Sequence, residues 1–366
     1  VDPALPTSDY VDPARHALEN EHVLRRTWIP VARESDLARA GDYRTFELAG
    51  DSIAVVRDEK GTARALHNVC LHRAAVLLRA EAGRIEGRIR CPYHGFTYGL
   101  DGALVSVPAP ESFQGLEGRR LAPARCESWG GWIWVALDGE GPLAEFLGSL
   151  PAELACWELE RVERKDRRVS VEPFNWKVGV EAFLESLHVP SIHSGTVHPV
   201  ADFRRAALDD LGEHSRMSIP FRAPNAYLDD GPFGAAALAS GVRPFPRLGR
   251  AQLSANLSYL VFPATVLSFL PNHFALFQCV PLAPESTRFT FELYAAPASS
   301  DVSARYYDSM KPGYERLVAE DLENLAWIQR GARDRSSGPL ALSAHERRIV
   351  SFRRALDRRI DAARRG

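Results

Sequence analysis

The chain has 366 residues, 45% of them apolar and 25% charged, with 45 Lys+Arg against 47 Asp+Glu and a formal net charge of −2. Such a length exceeds what one core usually supports and predicts two domains, and the near-neutral balance gives no global field for nucleic acid. No run approaches the roughly 18 apolar residues of a membrane span, the acidic, Pro-rich start is unlike a secretory signal, and five cysteines, an odd and sparse set, predict a reducing, cytoplasmic setting without a disulfide framework.

Residues 1–38 read as an N-terminal segment packing on the body. A small all-β domain is expected over 39–150, where YRTFELAG, DSIAVVRDEKG, TARALHNVC and GGWIWVALDG are strand-like runs bounded by turn residues. Asp101-Gly102, inside FTYGLDGALVSV, marks a hairpin. The charged run ELERVERKDRR reads as a solvated connection between domains. A second, α+β domain is expected over 151–366. It opens on VEPFNWKVGVEAFLESLH, where Trp176, Val180, Phe183, Leu184 and Leu187 form a helical apolar stripe. The Gly-, Pro- and Ala-rich stretch 220–250 reads as a long loop or lid. Strands are expected over 251–296 and helices over 303–331 and 343–363, the last amphipathic with a solvated basic face.

Two constellations carry chemistry. In the first, Cys70-Leu71-His72 is followed after eighteen residues by Cys91-Pro92-Tyr93-His94. Zinc modules usually pair C-x₂-C with H-x₃₋₅-H, whereas Cys and His alternate here. That alternation fits a [2Fe–2S] cluster in which two His replace two Cys on one iron. Both halves fall at loop tips among strands, and Pro92 and Gly95 supply the tight turns.

In the second, Glu185 and His188 are three apart and share a helical face, whereas His188 and His193 are five apart and would diverge on an unbroken helix. Pro190 is expected to break that helix and let His193 swing back. Two such His need one carboxylate to complete the facial triad of oxygen-activating iron enzymes. Asp321 is the candidate, because it interrupts the stripe Leu317, Leu325 and Ile328 while Glu320 and Glu323 can face elsewhere. A carboxylate aimed at a core is costly unless paired, so a salt bridge or helix cap is the competing explanation. His198 is the rival ligand, and Glu181 competes with Glu185 for the carboxylate beside the iron.

Taken together, NVCLHRAA, CPYHGFTYGLDGAL and the segment from Asn175 to His193 resemble the Rieske non-haem iron oxygenases, the ring-hydroxylating oxygenase α subunits, over about residues 26–366. The resemblance implies an N-terminal all-β Rieske domain followed by an α+β catalytic domain with an antiparallel, helix-grip (START-like) sheet. It implies that Cys70 and Cys91 hold one cluster iron and His72 and His94 the other. His188, His193 and Asp321 would hold a mononuclear Fe(II), with Glu185 bridging the two centres, often between neighbouring subunits. Glu320-Asp321 through Gln329-Arg330-Gly331 resembles the family's late carboxylate helix. The chain departs from the family at Ala182, where Asn is common, and at Leu187, where Tyr is common. It also lacks the extra loop cysteines of respiratory Rieske proteins, carrying Ala75 and Tyr93 there, with Phe96 in place of Ser.

The function so implied is that of a terminal oxygenase, using O₂ to hydroxylate a small aromatic or alicyclic substrate. Oxidative N- or O-demethylation of a quaternary-ammonium or methoxy compound is the alternative, and a pure electron-transfer protein a remoter one. No dinucleotide fingerprint is present, so electrons are expected from a separate NAD(P)H-dependent reductase or ferredoxin, and a homotrimer is the implied assembly. Phe183, Phe262, Phe269 and Phe274, with Tyr259 and Phe277, are candidates to line an apolar substrate pocket or a cage for a cation.

Overall fold

The computed structural model describes residues 5–139, 141–223, 226, 232–334 and 336–365. The chain forms two compact units, Leu24–Phe146 and Val1–Val23 together with Leu147–Gly366. The segment 1–38, expected as one piece, is divided between them. Ile29–Arg33 is a nearly wholly buried strand paired with Trp132–Ala136 in the first unit. The helix Pro13–His22 joins the second, where Arg15 Nη1 meets Asp357 of the last helix at 2.7 Å.

The smaller unit is all β and antiparallel. Asp42–Leu48, Asp51–Arg57 and Ala63–His67 follow the predicted runs and pair in sequence order. Arg88–Arg90, Thr97–Gly99 and Leu104–Ser106 form a separate three-stranded sheet. The Asp101-Gly102 hairpin is present: Gly102 takes a φ of +85°, and Thr97 pairs with Ser106. Ala54, Val56, Leu66, Ile89, Phe96 and Tyr98 make a core that also contains Cys70 and Cys91.

The larger unit is built on a seven-stranded antiparallel sheet. Its order is Glu163–Glu172, Ser286–Ala295, His273–Ala283, Thr265–Leu270, Ala255–Val261, His214–Pro220 and Ala207–Leu211. The run ELERVERKDRR, expected as a solvated connection, is instead mostly part of the edge strand Glu163–Glu172. Its charges are paired, Arg164 and Arg167 with Glu292 of the neighbouring strand and Arg168 with Asp166. A charged edge of this kind protects a sheet from further pairing. In the stretch 220–250 the helix Pro232–Ala239 is formed, and 224–225 and 227–231 lie outside the described residues.

Two long helices cover the sheet, Asp301–Ala332 and Arg347–Arg365. The last helix is amphipathic as expected, yet not all of its basic residues are solvated. Arg353 is 1% exposed and paired with Glu181, and Arg348 is buried with its Nε on Ser215 at 2.9 Å. No helix among the described residues is long and apolar enough to cross a membrane.

The short helix Trp176–Ala182 is capped by Asn175, whose side chain accepts from the Lys177 N–H. It lies so close on the strand His273–Ala283 that a Cβ at Gly179 would come within 2.6 Å of Cys279 Sγ. A Gly179→Ala chain must therefore displace the Cys279 side chain or shift this helix. It should lose about 1–3 kcal/mol, read as a lower midpoint in denaturant unfolding, while Gly331→Ala, where a Cβ meets open space, should be nearly neutral.

Candidate metal centres

Both cysteine loops are built on one backbone pattern. Cys70 N donates to Ala75 O at 2.9 Å and Ala74 N to Cys70 O at 3.1 Å. Cys91 N donates to Phe96 O at 2.8 Å and Gly95 N to Cys91 O at 3.1 Å, the same offsets of five and four residues. Each loop turns on a left-handed residue at its fifth position, Ala74 with φ +57° and Gly95 with φ +78°. For Ala74 this backbone is strained, a condition that surrounding structure must hold in place.

The loops bring their four predicted residues together. Cys70 and Cys91 are each 3% exposed, and His72 Nδ1 lies 3.2 Å from His94 Nδ1. Burial raises the Cys70 thiol. Burial also opposes ionisation of Cys91, but the Tyr93 and His94 N–H groups and the neighbouring Cys70 outweigh it and its pKa is lowered. Phe96 stacks on the His72 ring, their planes 2° apart. Tyr98 Oη is 3.2 Å from Cys70 Sγ and accepts from the Leu71 N–H at 3.1 Å. Two buried sulfurs with N–H and O–H groups around them, and two half-exposed imidazoles converging through Nδ1, are a donor set that fits a [2Fe–2S] cluster.

The second group lies within the larger unit. His188, His193 and Asp321 offer one ligand atom each, all within 4.8 Å of one another. Asp321 Oδ1 is 3.0 Å from His193 Nε2 and 3.8 Å from His188 Nε2. The helix break differs from the expected one. The chain leaves helix at Phe183, and Pro190 sits in the first turn of a new short helix, Val189–Ile192, where its missing N–H costs nothing. His188 and His193 cap this turn at either end, so their rings come 5.1 Å apart.

Each imidazole is held from behind by a carboxylate. Glu185 bonds both the His188 Nδ1 and the backbone N–H of Leu187. Glu320 Oε2 receives His193 Nδ1 at 2.9 Å and the Thr196 hydroxyl at 2.8 Å. With Nδ1 occupied, each ring turns Nε2 toward Asp321, the arrangement by which outer carboxylates orient metal-binding histidines. Burial would lower the His193 pKa, but Asp321 and Glu320 outweigh it and raise it. A 6%-exposed carboxylate facing two imidazoles is the chemistry of a divalent metal site, and the trio fits a mononuclear iron with open positions.

The structure separates the competitors. Glu181 is committed to Tyr10 and to buried Arg353, and Glu185 is the carboxylate at His188. The His198 ring lies against Phe203, outside the trio. The buried face of the long helix runs through Val318, Asp321, Leu325 and Gln329, whereas Ile328, expected in that stripe, is 50% exposed. Glu320, set aside in the sequence as facing elsewhere, is the residue that holds His193. Gln329 belongs to the segment that resembles the family's late carboxylate helix. Its Oε1 accepts from the Asn175 N–H at 2.9 Å and ties the Asp321 helix to the start of Trp176–Ala182.

One cavity adjoins the trio, and a second is bounded by Thr196 and Leu317. The first, of about 530 Å³, is lined by Glu185, His188 and Asp321 together with Tyr10, Glu181 and the departure Ala182. The other, of about 400 Å³, lies between the sheet and the long helix, with Thr196, Asn256, His273, Phe277, Tyr314 and Leu317 in its wall. Of the expected pocket aromatics, Phe262, Phe269 and Phe274 line neither and are fully buried core residues, packed on Phe352, Trp157 and Tyr294 respectively. Phe183 stacks behind Phe277 at 4.3 Å, and Phe277 itself reaches the second cavity.

Paired Cys/His loops in an all-β unit, with a His/His/Asp trio in an α+β unit, define a two-centre iron protein. The chain belongs to the ring-hydroxylating α-subunit family: the description "Ring hydroxylating alpha subunit (catalytic domain)" matches residues 159–362, and "Rieske [2Fe-2S] domain" matches 27–121. Its cofactors are accordingly a Rieske [2Fe–2S] cluster and a mononuclear iron. The chain is 35% identical over 196 residues to the carnitine monooxygenase oxygenase subunit of Escherichia coli K12, a match that spans 52% of each protein. It is 28% identical over 325 residues to the glycine betaine monooxygenase oxygenase subunit of Chromohalobacter salexigens, covering 79% of this chain and 70% of that one. A crystal structure of a quaternary ammonium Rieske monooxygenase shares the fold, with a TM-score of 0.81 at 22% identity over 97% of this chain and 95% of the other.

Two substitutions separate the roles around the centres. Glu320→Ala should weaken ferrous binding by about 10–100-fold in titrations of mononuclear-iron-depleted protein, with Glu320→Gln recovering most of it and the cluster absorption unchanged. Tyr98→Phe removes a hydrogen bond to a cluster sulfur and should lower the cluster potential in a redox titration, leaving ferrous affinity alone.

Proposed function

We propose that this chain is the terminal oxygenase of a multicomponent system and hydroxylates a small, mainly apolar organic substrate with O₂. The observation that carries the reading is the His188–His193–Asp321 trio, together with a cavity of aromatic and aliphatic side chains bounded by Leu317, about one turn before Asp321 on the same helix, and by Thr196, whose hydroxyl bonds the Glu320 that holds His193. When bound, the cluster supplies single electrons and the mononuclear iron supplies activation of O₂.

The residues have distinct tasks. Cys70, His72, Cys91 and His94 would hold the cluster, and His188, His193 and Asp321 the mononuclear iron. Glu185 keeps the Nδ1 proton of His188 and lines the same cavity as that ring. This supports its reading as the carboxylate joining the two centres, between neighbouring copies of a homotrimer. The smaller cavity is where the substrate would be oriented and water excluded, through Val197, Phe277 and Leu317. A separate NAD(P)H-dependent reductase or ferredoxin is the proposed electron source. Five cysteines free of disulfides support a reducing, cytoplasmic setting.

A second reading, oxidative demethylation of a quaternary-ammonium compound, draws on the named activities of the carnitine and glycine betaine relatives. Turnover under ¹⁸O₂ with a surrogate reductase tests the class. The wild type should place labelled oxygen in product, and Asp321→Ala should form none while keeping the cluster spectrum. Equal product from Asp321→Ala would remove the oxygenase reading, and a cluster that is reduced and reoxidised without product in the wild type would make the chain an electron carrier.

A further inference from the structure

The helix Asp301–Ala332 carries Pro312-Gly313 in its interior. Proline and glycine are the two least favourable residues in such a position, and a local rule broken in this way is expected where function holds it. The helix nonetheless runs on without a break, and both residues are exposed. Gly313 is also part of the wall of the cavity of about 400 Å³. Where it stands, only backbone separates that cavity from solvent.

Helical spacing fixes the direction that a side chain at this position would take. Tyr306, Met310, Gly313, Tyr314 and Leu317 all line the cavity. Their intervals of four, three, one and three residues put them on one stripe, and Asp321, four residues after Leu317, continues it. A Cβ on this stripe points at the cavity, and at Gly313 it would meet nothing within 4 Å among the described residues. The wall therefore has a gap the size of a missing side chain. Gly313 lies eight residues before Asp321, about 12 Å along the helix axis. A molecule whose reacting end is held near Asp321 reaches this gap only if it is longer than a single six-membered ring. Gly331, on the same helix, also has open space around it but lines neither cavity.

We propose that Gly313 determines specificity by length: its missing side chain leaves room for the far end of an elongated, mainly apolar molecule of two or more rings. This rests on the reading of the cavity as the substrate site. Glycine at 313 is then kept for room and not for the fold, since alanine is the better helix former and its Cβ would meet nothing within 4 Å. A side chain there shortens the cavity, so it penalises long ligands and spares those of one ring. The competing explanation is a glycine needed only to relieve the backbone beside Pro312. Substitution would then cost stability and weaken every ligand alike.

Equilibrium binding, measured by calorimetry on the holoenzyme without reductant, tests this independently of turnover. The probes are benzyl alcohol, 2-naphthylmethanol and 4-biphenylmethanol, which carry one uncharged head group on one ring, two fused rings and two linked rings. The wild type should bind the two longer probes more tightly than benzyl alcohol. Gly313→Ala should weaken the longer probes about tenfold and Gly313→Leu still more, with the affinity for benzyl alcohol unchanged. The unfolding midpoint of Gly313→Ala should equal the wild type's or exceed it, and Gly331→Ala should leave all three affinities as they are. The proposal is overturned if the substitutions at 313 spare the longer probes or weaken all three alike. It is equally overturned if Gly313→Ala loses binding together with a lower midpoint, or if the wild type binds none of the probes. A wild type that shows the size dependence yet oxidises none of the bound probes with a surrogate reductase removes the oxygenase reading and leaves the assignment of Gly313 standing.

Discussion

The larger unit is organised around one costly object, the carboxylate of Asp321, buried and pointed between the Nε2 atoms of His188 and His193. A charge in that position requires partners on its open side. Much of the surrounding structure serves to deliver them. A capped helix lies close against the sheet because Gly179 permits it. A break at Phe183 and a single turn started by Pro190 then set the two rings 5.1 Å apart. Through its side chain Gln329 fastens the Asp321 helix to the Asn175 cap, and so to the helix that leads into the two histidines.

The smaller unit solves a parallel problem by repetition. Two loops with the same hydrogen-bond offsets and the same left-handed fifth residue bring the sulfurs inward and leave the imidazoles half exposed. That asymmetry suits an electron carrier, since the exposed side can meet a partner while the buried sulfurs are held by N–H groups and Tyr98. In both units the metal-facing atoms are positioned by hydrogen bonds from a second layer, so loss of that layer is expected to show as altered affinity or potential before it shows as unfolding.

Much of this was legible in the sequence where local chemistry dictates structure. The alternating Cys/His loops, the Asp101-Gly102 hairpin and the core-facing Asp321 follow from spacing and burial alone. What was not legible depended on tertiary context. ELERVERKDRR is mostly charged, yet Glu292 and Asp166 pair Arg164, Arg167 and Arg168 within an edge strand. The strands Ala207–Leu211 and His214–Pro220 were unread, and the break at Phe183 was masked by continuous helical spacing. Phe262, Phe269 and Phe274 were plausible pocket residues by type, but side chains alternate across a sheet, and only the register shows that Phe277 reaches the cavity. Glu320 gave no signal, since a charged residue next to Asp321 on a helix reads as solvated until His193 is seen beside it.

The central claim is that a single chain carries two different iron centres. Iron and acid-labile sulfide analysis, with Mössbauer spectra of the ⁵⁷Fe-enriched reduced protein, tests it most directly. The account predicts about three irons and two sulfides per chain, with one iron a high-spin ferrous site separate from the cluster. Bound zinc with no labile sulfide, or two irons that are all in the cluster, would contradict it.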